Sequence, residues 1–286
     1  MSLLTQPYVT VPEFRAAPTW LDTRNLIEGG ADAQQDAELG NVLLRASAWA
    51  NSECGQRLGA HQVVERVRVE PDPGGWVSIH ASVQPVRQVT GVEYGTPGAL
   101  TALDDLSGVW IEDAVQIVVS LGTVAFPGLE FGSAPRAAAT HVQLDYVAGH
   151  TATKLASPSA AGAATLTVAD PTGIYPGDVL RLWDPGAEEA VTVAAGYAPG
   201  TAAVGLASPT IAAHAAGCGV SGLEADVHQA VILKAVSMLL REPTAASGDW
   251  PEAPYGPTAE ASRRRTRMGE LSAEACALLR PFRRVR

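Results

Sequence analysis

Residues 31–58 read ADAQQDAELGNVLLRASAWANSECGQRL, and the rest of the chain is organised around what that stretch needs. Leu39, Leu43, Ala46 and Ala50 recur at helical spacing, with Val42, Trp49 and Cys54 widening the stripe. Asp32 and Asp36 place negative charge where the helix dipole favours it, and Gly55 breaks the pattern. The spacing predicts an amphipathic helix over 32–58, and one apolar stripe in water is not a fold. The comparable partner lies far downstream at 223–241, LEADVHQAVILKAVSMLLR, where Val227, Val231, Leu233, Ala235, Met238 and Leu239 cover more than half the circumference. The two helices are expected to pack together, with Leu39, Leu43, Trp49, Val231 and Leu239 in their shared core.

Upstream of the first helix, Thr10 and Glu13 form a T-x-x-E capping box with Pro12 in the first turn, opening a short helix that Pro18 closes. Trp20, Leu21 and Leu26 follow as covers for one end of a core. Downstream of Leu58 the period changes from 3.6 to 2. HQVVERVRVEP sets Val63, Glu65, Val67 and Val69 against Val64, Arg66 and Arg68, and WVSIHASV, VRQVTGVEY, VWIEDAVQIVVS and THVQLDYVAG behave alike. Turn signals at Pro73-Gly74, Pro97-Gly98, Asp104-Asp105 and Pro127-Gly128 suit an antiparallel sheet or small barrel, not βαβ units. The stretch 122–136, with Phe126 and Phe131, reads as a contact loop.

At Thr151 the composition shifts to Ala, Gly, Thr and Pro. Four further strands, ATLTVAD, DVLRLWD, EEAVTVAA and TAAVGLAS, are broken by Pro176-Gly177 and Pro185-Gly186. The expected fold is therefore α+β: a helical core (32–58 and 223–241) carries an antiparallel sheet region, a small inserted β-barrel-like module and a C-terminal helical tail. The boundaries read as a core of 1–150 plus 223–241, an insert at 151–222, a Pro-rich linker at 242–257 and an Arg-rich tail at 258–286.

Apolar residues make up 47% of the 286 and charged residues 17%, ordinary globular usage. No apolar run suits a membrane span, and MSLLTQPYVT lacks the basic and apolar regions of a signal peptide, which predicts a soluble protein made in a cytoplasm. Cys54, Cys218 and Cys276 are odd in number and not at metal-ligand spacing, so they read as small buried residues, without a disulfide framework or zinc site. The net charge of −10 conceals a division: residues 263–286 hold eight arginines against Glu270 and Glu274, leaving 12 basic and 28 acidic groups, or −16, in residues 1–262.

No catalytic motif stands out. GCGVSG at 217–222 matches G-x-G-x-x-G, but AAHAA before it is a poor strand and no second βα unit follows, so Ser221 and Glu224 read as a capping box for the next helix. The six histidines form neither H-x-x-x-H nor H-E-x-x-H, and no serine lies in G-x-S-x-G. Ser78 with His80 and His141 with Asp145 are same-face neighbours of the kind period 2 produces; a triad is set by geometry, not order. The acidic turns DDLSGVWIED and WDPGAEE lack EF-hand ligand spacing. The expectation is a non-enzymatic chain with no cofactor, metal or catalytic residue.

The tail has two functional readings. Arg263, Arg264, Arg265, Arg267, Arg280, Arg283, Arg284 and Arg286 suit nucleic-acid phosphates or an acidic protein surface, and a solvated charge run is the plain alternative. Leu271, Leu278, Leu279 and Phe282 favour protein docking, since a purely electrostatic tail needs no apolar stripe.

YVTVPEFRA at the start, NVLLRASAWANSECG in the first helix and LEADVHQAVILKAVSMLLRE after a β-rich interval resemble the head-tail connector (adaptor) proteins of long-tailed bacteriophages and related gene-transfer particles. The insert, LTVADPTGIYPGDVLRLWDPGAEEAVTV, looks like β segments of large connectors of actinobacterial phages. The resemblance covers the two helices well, the sheet in outline and the tail weakly, and its motifs are packing patterns. It implies a structural virion protein of the neck, assembled in the host cytoplasm. There it would form a homo-oligomeric ring, commonly of twelve copies, beneath the portal, extending the channel for double-stranded DNA and carrying the stopper or tail-terminator protein. It also implies a C-terminal segment that clasps the portal. The chain is longer than many connectors, and the elaboration at 62–222 is expected to decorate the ring or brace neighbouring subunits. A stopper or tail-completion protein is the nearest alternative; a DNA-binding protein acting through the arginine tail, or a hydrolase or carbohydrate-binding protein built on the β region, are the others.

Overall fold

The computed structural model describes residues 4–72, 74–121, 140–240 and 259–284, with side chains in the last segment from Thr266 onward. The stretch 122–136 and the linker at 242–257 therefore lie outside the described residues. The chain divides into two compact units, Met1–Arg57 with Thr151–Arg286, and Leu58–His150.

The first unit opens with α1 (Val11–Ala16), where both halves of the capping box form: Thr10 Oγ1 accepts from the Glu13 amide, and Glu13 Oε2 accepts from the Thr10 amide. Helix α2 (Asp32–Cys54) follows and buries Leu39, Val42, Leu43, Ala46, Ala50 and Cys54. It stops at Cys54 instead of running to 58 because Gly55 takes a left-handed conformation (φ 67°) that ends the ladder, as glycine does at the residue after a helix.

Leu58–His150 is a unit of antiparallel strands. One sheet has the order β1 (His61–Val69), β7 (Thr140–Ala148), β3 (Val86–Thr96), β4 (Ala99–Ala102), and the other β2 (Trp76–His80), β6 (Gln116–Ser120), β5 (Val109–Glu112). Alternation builds the core: Val77, Ile79, Ile117 and Val119 from the second sheet meet Val92, Val142, Leu144 and Tyr146 from the first. At Gly149 (φ +100°) an added Cβ would lie 2.7 Å from the Gly59 carbonyl oxygen, so the backbone approach there excludes a side chain.

The chain then forms β8 (Ala152–Lys154), β9 (Thr165–Thr167), β10 (Val179–Trp183), β11 (Glu189–Thr192), β12 (Ala203–Gly205) and β13 (Gly219–Ser221). These pair as a four-stranded sheet, β11-β10-β13-β8, and a two-stranded sheet, β12-β9, over one core that includes Leu166, Ile174, Leu180, Leu182 and Val220. The module is two sheets joined by single bridges, Leu155–Val168 and Val193–Leu206, and not the continuous barrel that its short strands suggested. Helices α3 (Ala225–Leu239) and α4 (Ala259–Leu279) complete the unit.

The fold is thus mixed α and β with antiparallel sheets and a C-terminal helix, and the long helices pack together: α3 lies against both α2 and α4. Leu39, Leu43 and Val231 are fully buried, whereas Trp49 and Leu239 are half-buried; the Lys234 ammonium covers Trp49, 4.7 Å from its ring centroid. Residues 151–222 group with the helices in one compact unit and Leu58–His150 forms the other, with β13 running into α3 after three residues. One reading at the start of α3 needs correction. The predicted capping box of Ser221 and Glu224 does not form: Ser221 belongs to β13, its oxygen accepts from the Leu223 amide, and Glu224 is an N-cap without a side-chain hydrogen bond. Gly219, inside the same strand, removes the G-x-G-x-x-G stretch from any phosphate-binding turn. Among the described residues no helix is long and apolar enough to cross a membrane.

Candidate functional site

The tail's apolar stripe is consumed within the first unit. Leu271, Ala275 and Leu279, spaced by four residues, are buried on α4, while Leu278 and Phe282 are half-buried. Ser237 of α3 hydrogen-bonds the Met268 carbonyl oxygen and Ser272 Oγ at 3.3 and 3.1 Å. Beyond α4 the chain is tied to the end of α2: the Arg284 amide donates to the Cys54 carbonyl at 2.9 Å, Gln56 Nε2 to the Phe282 carbonyl at 3.3 Å, and Arg283 pairs with Glu53. Leu271 and Leu279, expected to dock a partner, are therefore occupied by their own chain. Arg267, Arg280 and Arg284 are exposed, and Arg267 faces Glu270 at 3.5 Å. The side chains of Arg263, Arg264 and Arg265, and all of Arg286, lie outside the described residues.

Two clusters escaped sequence reasoning because their members are far apart in the chain. In the first, His228 Nδ1 lies 2.6 Å from Glu13 Oε1 and Nε2 lies 3.2 Å from Ser221 Oγ, with the Trp183 ring stacked on the imidazole at 4.2 Å. A carboxylate only accepts, so Nδ1 carries a proton, and Ser221 Oγ lies between Nε2 and the Thr151 carbonyl oxygen, to which it donates at 3.3 Å. The order Ser-His-Glu is that of a hydrolytic triad, but all three residues are buried and Ser221 Oγ already accepts from the Leu223 amide at 3.0 Å. A nucleophile must touch its substrate; this hydroxyl touches only its own chain. The chemistry available is a buried lock joining α1, β13, β10 and α3.

In the second cluster, His214 Nε2 lies 2.7 Å from Glu189 Oε1 and Nδ1 lies 3.3 Å from Asp184 Oδ2, with Cys218 close enough that one ligand atom each of Asp184, His214 and Cys218 fall within 4.8 Å of one another. Among the described residues this is the group whose chemistry approaches a metal site. Its protons are otherwise accounted for. Glu189 also accepts from the Ile211 and Ala212 amides, and Asp184 from the Ala215 amide. Burial opposes a charged Glu189, yet these donors and His214 hold its carboxyl below the usual range. Burial, with the charges of Asp184 and Glu13, pushes the Cys218 thiol up to about 12, so it keeps its proton. The arrangement clamps residues 211–215 onto β10 and β11.

Cys54, in α2, is raised to about 11 by burial, while Cys276 is half-exposed. In the sheet unit Tyr146 donates to Glu65 Oε2 at 2.8 Å, and burial, reinforced by the Glu65 charge, raises the phenol to about 12.

Two grooves open beside α3 and α4. One, of about 270 Å³, is lined by Pro18, Trp20 and Leu21 together with Ile232, Val236 and Leu271. The other, of about 510 Å³, is lined by Val42 and Arg45 of α2, Lys234 and Met238 of α3, and Met268 and Gly269 of α4. Neither is lined by Ser221 or His214.

No family model matches the chain, and no curated protein does. Among solved structures, one described as the neck of an empty GTA particle computed with C6 symmetry aligns over 99% of this chain and 97% of its own, at 17% identity and a TM-score of 0.37. A likeness that loose carries no conclusion about fold or role.

Proposed function

We propose that the chain is a structural subunit of a phage-like neck: a head-tail connector that forms a ring under the portal, lengthens the DNA channel and presents a platform to the stopper or tail terminator. The observation that carries this reading is the joining of the segments behind the resemblance. YVTVPEFRA contributes buried Tyr8, Val9 and Phe14, NVLLRASAWANSECG supplies α2, and LEADVHQAVILKAVSMLLRE supplies α3, all in one compact unit whose buried polar clusters fasten its parts. Tyr8 is itself fastened, its amide donating to Ser47 Oγ at 3.0 Å. The role is non-enzymatic, the packaged DNA being a passenger in the channel. A body of −16 per subunit repeated around the ring would give the duplex a repulsive, non-sticking wall. The exposed arginines of the C-terminal segment are the portal contacts. A stopper or tail-completion protein is the second reading within the same class.

Electron microscopy of the purified full chain, alone and mixed with its cognate portal or tailless heads, tests this. Rings stacked coaxially on the portal are the expected result. A monomer that ignores the portal overturns the reading, and salt-dependent DNA binding then becomes the measurement that decides.

A further inference from the structure

His214 stands between two carboxylates, and its two contacts are unlike. Nε2 lies 2.7 Å from Glu189 Oε1, the length of a charge-assisted hydrogen bond, whereas Nδ1 lies 3.3 Å from Asp184 Oδ2, outside the usual N–H···O range. A carboxylate only accepts, so the ring proton belongs on Nε2, and the neutral ring turns its Nδ1 lone pair toward a second acceptor. A second ring proton on that side would draw the pair to about 2.7–2.9 Å. A tetrahedral metal ion would not: with ligand bonds of about 2.0–2.1 Å, neighbouring nitrogen and oxygen donors stand about 3.3–3.4 Å apart. Cys218 supplies a third donor. Gly217 takes φ +84° and the Cys218 amide donates to the Ala215 carbonyl at 3.2 Å, a tight turn that brings the cysteine back beside the histidine. One ligand atom each of Asp184, His214 and Cys218 then fall within 4.8 Å of one another. Glu189 stands behind the ring, its oxygens taken by His214 and by the Ile211 and Ala212 amides, which is how a carboxylate fixes the orientation of a metal-binding imidazole.

We propose that Asp184, His214 Nδ1 and Cys218 bind one zinc ion, with water in the fourth position; this goes beyond the connector reading and does not depend on it. The imidazole is wholly buried and the Asp184 side chain is 21% exposed, so the ion enters, and keeps its water, on the Asp184 side. Thiolate with imidazole selects zinc, whereas magnesium and calcium take oxygen ligands. In the metal-free chain the thiol holds its proton; zinc binding breaks the S–H bond, releases that proton to solvent and forms the S–Zn bond, while Nε2–H stays on Glu189. The ion would pin the turn after β10, the 211–215 segment and the residue before β13 to one point, in a module whose strands are three to five residues long. Cysteine spacing gave no sign of it, because the ligand set needs one cysteine, in H-x-x-x-C, and an aspartate 30 residues before the histidine.

The test strips the full chain with a chelator and reloads it with Zn²⁺ or Co²⁺. Elemental analysis should find one ion per chain, and the cobalt form should show a thiolate-to-metal charge-transfer band with the visible bands of a tetrahedral site. X-ray absorption of the zinc form should find one sulfur at about 2.3 Å and the remaining nitrogen and oxygen ligands at about 2.0–2.2 Å, a readout that needs no variant. Cys218→Ala should lose the sulfur band. Glu189→Gln, which keeps an acceptor for Nε2–H but not its charge, should bind zinc about ten- to a hundredfold more weakly in competition with a chromophoric chelator and keep the band, as a positioning residue does. A natural chain that binds no zinc, or binds cobalt without a sulfur band, overturns the site and leaves His214 as a clamp between two carboxylates. A sulfur band that persists in Cys218→Ala overturns it too, by moving the metal to another cysteine. Ring formation is not read in any of these measurements, so failure here leaves the connector reading standing.

Discussion

Glu13→Ala tests whether the Ser221-His228-Glu13 cluster is a lock or a reaction centre. The carboxylate does two jobs: Oε2 closes the capping box on the Thr10 amide at 3.3 Å, and Oε1 holds His228 Nδ1 at 2.6 Å. Losing the reciprocal half of the box costs about 0.5–1 kcal/mol. His228 is 2% exposed, so its ring N–H is then left without an acceptor, at about 1–3 kcal/mol. The sum, about 1.5–4 kcal/mol, lowers Tm by about 3–16 °C at the 2–4 °C per kcal/mol of a unit of this size. Scanning calorimetry of the full chain should place that shift in the transition of the helical unit and leave that of Leu58–His150 in position, because Thr10, Glu13 and His228 all belong to the helical unit. Ser221→Ala, which strands the Leu223 amide, should move the same transition by about 1–3 kcal/mol. A Glu13→Ala chain whose helical transition moves by less than about 2 °C refutes the lock. Covalent labelling of Ser221 by an acyl- or phosphonyl-transfer reagent in the native chain would refute it from the other side.

In the native chain one thiol, Cys276, is expected to react with an aromatic disulfide reagent near pH 8 and three in denaturant, because burial keeps Cys54 and Cys218 protonated at about 11 and about 12. Tyr146, raised to about 12, contributes stability that is complete below its ordinary value of about 10 and lost as pH climbs from there through about 12. Tyr146→Phe should therefore flatten the alkaline limb of the sheet unit's melting curve, read by circular dichroism. Glu189 has the opposite sign: its lowered carboxyl contributes stability above about 4.3, lost as pH falls below that, so Glu189→Gln should flatten the acid limb and unprotect the Ile211 and Ala212 amides in hydrogen exchange. Leu279→Ala removes a fully buried side chain from α4 and should cost about 2–5 kcal/mol in denaturant unfolding.

Periodicity made the helices and the longer strands legible. Leu39 and Leu43 on one helix and Val231 on the other are core residues because helical spacing leaves them nowhere else to go, and Val63 to Val69 alternate because a strand has two faces. Three short elements were not: β4, β8 and β13 show no period of their own and exist through their partners, as Val220 does between Leu182 and Thr153. The clusters were hidden for a related reason. Glu13 announced itself only as a helix cap, and nothing near it in sequence points to His228, 215 residues away. His214 and Asp184, 30 residues apart, meet because two turns of the β module fold toward each other. Composition marks the division at Thr151, where the second unit ends, but does not show that the segment beyond it groups with the helices.

The apolar face of α4 changes how the arginine segment must be tested. Leu271, Leu278, Leu279 and Phe282 suggested protein docking, but the first and third are buried under the helical unit and the others are half-buried, so a chain ending at 258 loses part of its own core along with its charges. Failure of such a truncation to bind a portal would follow from an exposed α3 as readily as from missing arginines. Replacing Arg263, Arg264, Arg265, Arg267 and Arg280 by glutamine separates the two, since it spares Arg283, which pairs with Glu53, and leaves the buried leucines in place. Arg267 and Arg280 are exposed, and substitutions at such positions shift stability by about 0.5 kcal/mol or less each, so the variant is expected to fold and, on the present reading, still form rings through its other surfaces. Its docking on the portal should fail, and adding salt should weaken the natural complex only modestly, because paired guanidinium and carboxylate groups release no condensed counterions as DNA does. Portal docking that survives all five replacements removes these five arginines from the interface and leaves Arg284 and Arg286, with the surfaces of α2 and the two β regions, to be tested next.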